Sequence, residues 1–238
     1  ENKKETKIQF ENIASLSDAI VVLSRNDIEI VNNFVNNQNN IRILNIGNPN
    51  TFTINKNLIH EKEKIVLYVG RLTSGEKNPL RLLKIWNLLY KKHLDWNLVI
   101  VGDGDEFENM KKFIRHHNIS NVYFEGEQKD VASYYIRSSF VCLTSNVEGW
   151  GMALTEGMQY GCIPFTFNNY GAASEIIDNN VNGCIISAFS IKEYARRLSE
   201  LMQNIDKRNE MSKAAIEKVK MFSVDKIADK WEMLLQGL

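Results

Sequence analysis

Residues 145–164 read SNVEGWGMALTEGMQYGCIP, and the predicted fold is organised around this stretch. The apolar run FVCL at residues 140–143 precedes it and is typical of a buried strand. Gly149 and Gly151 then form a turn, and the residues that follow predict a helix that begins near Met152. The order strand, glycine turn, helix brings free N–H groups and the positive end of a helix dipole to the turn, which suits a phosphate group.

Two glutamates, Glu148 and Glu156, lie on either side of this turn. Because helical side chains tilt toward the N-terminus, the Glu156 carboxylate is expected to point back toward the turn. A diphosphate would repel it, whereas the vicinal hydroxyls of a ribose could donate hydrogen bonds to it. Glu148 is placed to meet a second hydroxyl-rich group, so the layout describes a nucleotide-sugar. The alternative is a surface loop with ordinary acidic residues. The flanking glycines and the preceding strand make this alternative less favoured.

Residues 148–156, with EGWG at their start, resemble the E-x7-E signature of the retaining group 1 glycosyltransferases. This family has the GT-B fold and includes glycogen synthase-like enzymes and mannosyltransferases. Trp150 stands where the family usually has Phe, and Gly157 stands where Ala is usual. In a helix the second exchange costs roughly 1 kcal/mol of propensity. The resemblance implies the C-terminal, donor-binding domain of an enzyme that transfers a sugar to an acceptor hydroxyl with retention of configuration.

Arg71 and Lys77 flank the loop after the first strand of the main domain. By themselves they indicate only a solvated loop, but the resemblance implies that they bind the donor diphosphate, although the gap between them is one residue longer than in many members. It further implies a catalytic set of Glu148, Arg71 and Lys77, with Glu148 at the donor sugar and Glu156 at the ribose. The full set of donor-binding residues expected from the resemblance is Gly70, Arg71, Lys77, Gly126, Glu127, Glu148, Gly149, Trp150, Gly151, Met152, Ala153, Leu154 and Glu156.

The resemblance implies no essential metal and no cofactor, with a UDP-, GDP- or ADP-sugar as donor. Asp103-Gly104-Asp105 mimics a metal-binding D-x-D motif, but Asp105 is better explained as the cap of the next helix. The implied acceptor is a sugar, a glycan or a lipid-linked molecule. A cytoplasmic location is expected, with peripheral contact to the inner face of the membrane left open.

The charge balance argues against nucleic acid as a partner. Lys and Arg number 29, as do Asp and Glu, so the net charge is zero, whereas nucleic-acid binders usually carry a basic excess. The three cysteines, Cys142, Cys162 and Cys184, are far apart and lie in or beside apolar runs. They predict buried free thiols in a reducing compartment and have no zinc-site spacing.

From about residue 63 onward, apolar strands alternate with helical patterns. Strands are predicted near residues 65–69, 98–101, 122–124, 140–143, 163–167 and 183–186. This alternation predicts an α/β fold with a Rossmann-like parallel sheet and helices on both faces, here assigned to residues 51–220 as the nucleotide-sugar-binding domain. Ligands of such sheets bind beyond the carboxyl ends of the strands, where the glycine turns fall.

Residues 1–50 predict one strand-helix-strand unit after an irregular end at residues 1–12. Such a unit is too small to bury its own faces, so we expect a remnant of an N-terminal acceptor-side domain and its linker. Residues 221–238 are expected to form a C-terminal crossover helix that packs on this unit or is left partly exposed. The isolated chain is therefore expected to need a missing N-terminal domain or partner subunit for activity.

Two other functions are compatible with the pattern. If no acceptor half is attached to the chain, it would be a non-catalytic nucleotide-sugar-binding module or a subunit of a split glycosyltransferase. A nucleotide-sugar epimerase on the same fold ranks below both, because the EGWG turn belongs to the transferase family.

Overall fold

The computed structural model of the protein describes residues 2–35, 41–50 and 62–237. The chain divides into two compact units, one formed by Glu1–Pro49 with Met221–Leu238 and the other by Asn50–Lys220. The predicted segments 1–50 and 221–238 thus contribute to a single unit. Residues 51–61, where the predicted domain boundary falls, lie outside the described residues.

The smaller unit begins with a helix where the sequence had suggested an irregular end. Its elements are helix α1 (Asn2–Ser15), strand β1 (Ala19–Val22), helix α2 (Arg25–Val35) and strand β2 (Arg42–Asn45), and the two strands pair in parallel. The expectation for residues 1–12 was wrong because polar residues such as Lys, Glu and Gln are good helix formers.

The two strands of this unit are covered on both sides. On one side Ala14 of α1 packs in a cluster with Val31, Val35 and Ile41. On the other side the last helix of the chain (Val224–Gln236) contributes Ile227 and Leu234 to a cluster with Ile46 and alternate residues of the strands. The final helix therefore buries one face on the strand-helix-strand unit, one of the two arrangements that the sequence predicted.

The larger unit is built on a six-stranded parallel sheet with the order β5-β4-β3-β6-β7-β8. Counted within the unit, this is the doubly wound order 3-2-1-4-5-6, in which successive connections run outward in opposite directions from the two central strands. The predicted Rossmann-like sheet is confirmed. Its strands are β3 (Glu63–Val69), β4 (Asn97–Val101), β5 (Val122–Gly126), β6 (Ser138–Cys142), β7 (Ile163–Phe167) and β8 (Cys184–Ile186).

Helices lie against both faces of the sheet. They are α3 (Leu80–Asn87), α4 (Phe107–His117), α5 (Ala132–Arg137), α6 (Met152–Gln159), α7 (Ala173–Ile176), α8 (Ile191–Met202) and α9 (Ile205–Val219), with single 3-10 turns at Tyr90–Lys92 and Lys220–Phe222. The main core joins one face to α3, α4 and α8 and includes Trp86, Phe140 and Tyr194. α6 covers the opposite face, where Gly157 lies against Val141 of β6.

The start of α4 differs from the sequence prediction. Asp105 does not cap α4, because Glu106 occupies the N-cap position without a side-chain hydrogen bond. Asp103 instead accepts a hydrogen bond from the Gly104 amide with its own side chain at 2.7 Å. In the described part of the chain, every helix is too short or too polar to traverse a bilayer.

The close contact between Gly157 and Val141 predicts the effect of introducing alanine at residue 157. A Cβ at this position would lie 2.7 Å from Val141 Cγ1, and both residues are buried. We expect Gly157→Ala to lower the free energy of unfolding by about 1–3 kcal/mol through overpacking, despite the better helix propensity of alanine. Urea unfolding followed by circular dichroism measures it.

The matched control is Gly75→Ala, because nothing lies within 4 Å of a Cβ there. The double variant Gly157→Ala/Val141→Ala is expected to be less destabilised than the sum of the two single variants, since the methyl group then has space. Additive effects of the two changes would show that Val141 is not the obstacle.

The cysteines predict a second measurement. All three are free and buried, and burial raises the pKa of Cys142 to about 12 and that of Cys184 to about 11. Because the thiolate is the reactive form, we expect no reaction with Ellman's reagent at pH 8 in the native protein and three reacting thiols in guanidinium chloride. Fast reaction of Ellman's reagent with the native protein would show that at least one cysteine thiol is not buried.

Candidate functional site

The centre of the sheet brings two loops together at the carboxyl ends of β3 and β6. These strands are hydrogen-bonded neighbours, and the connections that follow them lead to opposite sides of the sheet. The crevice formed at such a switch point is where doubly wound sheets bind ligands. The loop after β3 carries Arg71 and Lys77, and the loop after β6 carries Glu148.

Lys77 and Glu148 form an ion pair across the crevice. Lys77 Nζ donates to Glu148 Oε1 at 2.8 Å, and the Ser145 hydroxyl donates to the same oxygen at 2.6 Å. The Glu148 side chain is only 7% exposed and that of Lys77 is 24% exposed, so water screens the pair weakly. Two residues that are 71 positions apart in the sequence are thus held in direct contact.

Arg71 lies at the start of the same loop in a more open position. Its guanidinium pairs with Glu76 at 2.6 Å, and both side chains are more than half exposed. Because exposed ion pairs contribute about 0–1 kcal/mol, Arg71 can leave Glu76 for a stronger anion at little cost. The backbone is better fixed than the side chain, since the carbonyl of Arg71 accepts a hydrogen bond from the buried Tyr68 hydroxyl at 3.0 Å.

Asn146 links the two loops and is not among the site residues predicted from the sequence. Its backbone N–H donates to the Glu76 carbonyl at 2.7 Å. Its side-chain amide donates to the carbonyls of Gly75 at 3.0 Å and Ser74 at 3.3 Å. The signal that could have found it is an asparagine between a strand end and a glycine turn, where Asn side chains often bond to nearby backbone.

Arg81 of α3 supports Asn146 from the other side and was also missed. Its guanidinium donates to Asn146 Oδ1 at 2.7 Å and to the Thr144 carbonyl at 2.6 Å. The guanidinium carbon lies 4.4 Å from the centre of the Phe189 ring, a cation–π contact. The Asn169 amide adds two hydrogen bonds to the carbonyls of Ser145 and Asn146. The loop carrying Glu148 is therefore held by side chains from α3 and from the segment that follows β7.

The glycine turn leads into α6 as predicted. Gly151 has φ 99° and is the N-cap, and Met152 is the first helical residue. A Cβ on Gly151 would lie 3.1 Å from the Tyr170 hydroxyl, so both the backbone conformation and the close approach favour glycine. Trp150 and Leu154 are buried, and their side chains belong to the packing of the unit. The ligand contact predicted at these two positions would therefore have to come from their backbone.

Glu156 lies one turn into α6 and is held by Tyr135. The Tyr135 hydroxyl donates to Glu156 Oε2 at 2.9 Å. Burial and the Glu156 charge raise the pKa of Tyr135 well above its usual value, so the hydroxyl keeps its proton and acts as the donor. Tyr135 is not among the site residues predicted from the sequence, because its position in a short helix resembles that of an ordinary core residue.

Gly126 and Glu127 lie apart from the central crevice. Gly126 ends β5, the edge strand, and β4 and β3 separate it from β6. Its carbonyl accepts a hydrogen bond from the Gly102 amide at 2.7 Å, and Glu127 is exposed. The structure therefore does not place these two candidates beside Glu148. Within the described residues, no group of three or more His, Cys, Asp or Glu side chains could hold a metal ion.

Comparisons with known proteins agree with this architecture. The profile of the family described as Glycosyl transferases group 1 matches residues 49–218. The chain is 34% identical over 194 residues to an uncharacterized glycosyltransferase of Haemophilus influenzae, covering 81% of this chain and 55% of the relative. It is 28% identical over 226 residues to the GalNAc-alpha-(1->4)-GalNAc-alpha-(1->3)-diNAcBac-PP-undecaprenol alpha-1,4-N-acetyl-D-galactosaminyltransferase of Campylobacter jejuni, covering 92% of this chain and 60% of the relative.

A solved structure shows the same fold. The crystal structure of a mutant of Staphylococcus aureus TarM, in complex with fondaparinux, alpha-GlcNAc-glycerol and UDP, has a TM-score of 0.83 and 25% identity and covers 97% of this chain and 46% of TarM. The chain spans about half the length of TarM and of the Haemophilus relative. Because the family profile matches most of the sequence, the chain belongs to the group 1 glycosyl transferases.

Proposed function

We propose that the protein containing this chain transfers a sugar from a nucleoside-diphosphate sugar to an acceptor hydroxyl with retention of configuration, and that residues 51–220 bind the donor. The observation that carries this proposal is the Lys77–Glu148 pair at 2.8 Å, located at the switch point of the sheet beside the N-terminus of α6. Family membership supports the same reaction class.

In the proposed mechanism, the diphosphate binds to groups that are already positioned. Arg71 can exchange its exposed partner Glu76 for a phosphate, and Lys77 can exchange Glu148. The amides at the start of α6 add their partial positive charge. Together these groups stabilise the negative charge that develops on the leaving diphosphate, without requiring a metal or another cofactor.

The two glutamates are proposed to hold the two hydroxyl-rich ends of the donor. Glu148, which comes directly before the glycine turn and pairs with Lys77, is proposed to bind the donor sugar. Glu156 binds the ribose diol. Its Oε2 accepts from Tyr135, and an ionised carboxylate can accept several hydrogen bonds at once, so ribose hydroxyls can also donate to it.

Among UDP, GDP and ADP, we favour UDP as the nucleotide of the donor. The support is the TarM structure, which contains UDP and matches 97% of this chain. The acceptor is proposed to be a glycan or a lipid-linked glycan, since the Campylobacter relative is named for a transfer to a PP-undecaprenol glycan. Such an acceptor agrees with a cytoplasmic enzyme that contacts the inner face of the membrane, and with an acceptor half supplied by residues beyond this chain or by a partner subunit.

The donor site predicts how two substitutions change nucleotide binding. Calorimetric titration with UDP, GDP and ADP, in the absence of metal, is expected to show tightest binding of UDP. Glu156→Gln and Arg71→Ala should each weaken it about 10–100-fold, because each removes a charge-assisted hydrogen bond of about 1.5–3 kcal/mol. Glu210→Gln and Arg115→Ala, exposed residues on α9 and α4, are the matched controls.

Equal affinities of these two variants and the unchanged chain would overturn the assignment of Arg71 and Glu156. Absence of any binding in the isolated chain would be followed by the same titration on the full-length protein. Loss of binding in the controls as well would indicate a general effect of charge on the unit.

The Lys77–Glu148 pair predicts opposite effects of changing its two members. Lys77→Met removes a cation from the diphosphate and should weaken UDP binding about 10-fold or more. Glu148→Gln releases Lys77 from its partner, so UDP should bind equally or more tightly, while transfer of sugar by the full-length enzyme should be lost. Calorimetry and product analysis measure the two effects. A parallel loss of UDP affinity in both variants would show that Glu148 supports nucleotide binding and does not compete with the nucleotide for Lys77.

A further inference from the structure

One end of the sheet is left open on the face opposite to the main core. Parallel sheets in α/β domains usually have both faces covered by helices. Here the connection from β5 to β6 contributes only α5, a helix of six residues. Beside it, on the face of β3, β4 and β5, lies a cavity of about 240 Å³. The ring of Tyr123 lines it and is 50% exposed.

The floor of the cavity is apolar and its wall is aromatic. Ile65 and Val99 are buried beneath it. Strand register places Asn97 beside Ile65 and Tyr123 beside Val99, so these four side chains share one face. Tyr134 of α5 lines the opposite wall. In the described part of the chain, the Asn97 amide and the Tyr123 hydroxyl make no side-chain hydrogen bond, so both remain available to a ligand.

The rim is polar and already ordered. Arg137 donates two hydrogen bonds to Glu63, at 2.7 and 3.1 Å. The Tyr134 hydroxyl donates to Glu125 at 3.1 Å. Two carboxylates and one guanidinium give the lining a formal charge of −1, so the cavity offers hydrogen-bond donors and acceptors without attracting anions.

We propose that this cavity binds a neutral sugar residue of a glycan. A pyranose has a C–H face that can lie on the Tyr123 ring and hydroxyls that can bond to Asn97, Glu125 and the Arg137–Glu63 pair. A phosphate-bearing ligand is disfavoured by the carboxylates, and an aliphatic chain is disfavoured by the charged rim. The volume is below the ~300–1,000 Å³ of pockets for drug-sized ligands, which fits one ring.

This cavity is separate from the donor site. Glu63, Asn97 and Ser138 line it and are the first residues of β3, β4 and β6, whereas the donor loops follow the last residues of β3 and β6. A strand of five residues spans roughly 16 Å. A sugar held here would tether a glycan to the enzyme and raise its effective concentration at the acceptor site, which goes beyond the proposed transfer reaction.

Saturation-transfer difference NMR with the methyl glycosides of glucose, galactose, N-acetylglucosamine and N-acetylgalactosamine tests the proposal, with saturating UDP present to occupy the donor site. We expect transfer to at least one neutral glycoside and none to methyl glucuronide, which is anionic. Tyr123→Ala should weaken that binding at least fivefold, and Tyr123→Phe should retain it because the ring remains. Leu94→Ala, another exposed apolar residue of this unit, is the matched control.

The proposal is overturned if no neutral glycoside receives saturation, or if Tyr123→Ala leaves the signal unchanged. Circular dichroism establishes whether Tyr123→Ala is folded. If it is not, Asn97→Ala takes its place and should weaken the signal, because it removes a proposed hydrogen bond to the sugar. UDP affinity is measured on the same samples. Loss of sugar binding with unchanged UDP affinity would be assigned to this cavity alone. Absence of UDP binding in the unsubstituted chain would count against the proposed donor site and not against this cavity.

Discussion

The parallel pairing of β3 with β6 is the constraint on which the candidate site depends. It brings together two loops whose residues are distant in sequence, and it places both at the ends of strands that the core holds rigid. Asn146 then fixes the two loops against each other, because its backbone and side chain donate hydrogen bonds to three successive residues of the other loop. The ion pair of Lys77 with Glu148 therefore depends on the strand pairing and on the Asn146 hydrogen bonds.

Hydrophobic pattern and glycine position predicted the strands, the turn at Gly151 and the start of α6 at Met152, because these depend on local properties. The tertiary partners were not predictable in this way. Arg81 and Asn146 are 65 positions apart, and Tyr135 lies 21 positions before Glu156. Only the folded sheet brings them into contact. Helix α1 was not predicted, because its sequence is polar and has no clear apolar face. The need for glycine at residue 157 was not predictable either, because it depends on the lack of space beside Val141.

The proposed donor site and the proposed sugar cavity depend on the sheet in different ways. At the carboxyl ends, backbone carbonyls and amides are paired between loops, so a change in one loop disturbs the other. On the open face beside α5, the lining side chains project from strands whose backbone is fixed by the ladder and whose other face is in the core. Exposed residues such as Tyr123 can therefore be exchanged there with little effect on folding, and ligand preference on that face can change independently of the donor chemistry.

The ion pair also bears on how the enzyme would release its product. An empty site that contains its own counterion is electrically balanced, so a diphosphate that takes Lys77 leaves the nearly buried Glu148 without its cation. In the proposed mechanism a complete donor would compensate for this loss, because its sugar hydroxyls would hydrogen-bond to the carboxylate. After the proposed transfer the sugar would be gone, and the Glu148 carboxylate would compete with the nucleotide product for Lys77. The site would thus favour the departure of the nucleotide and limit inhibition by accumulated product.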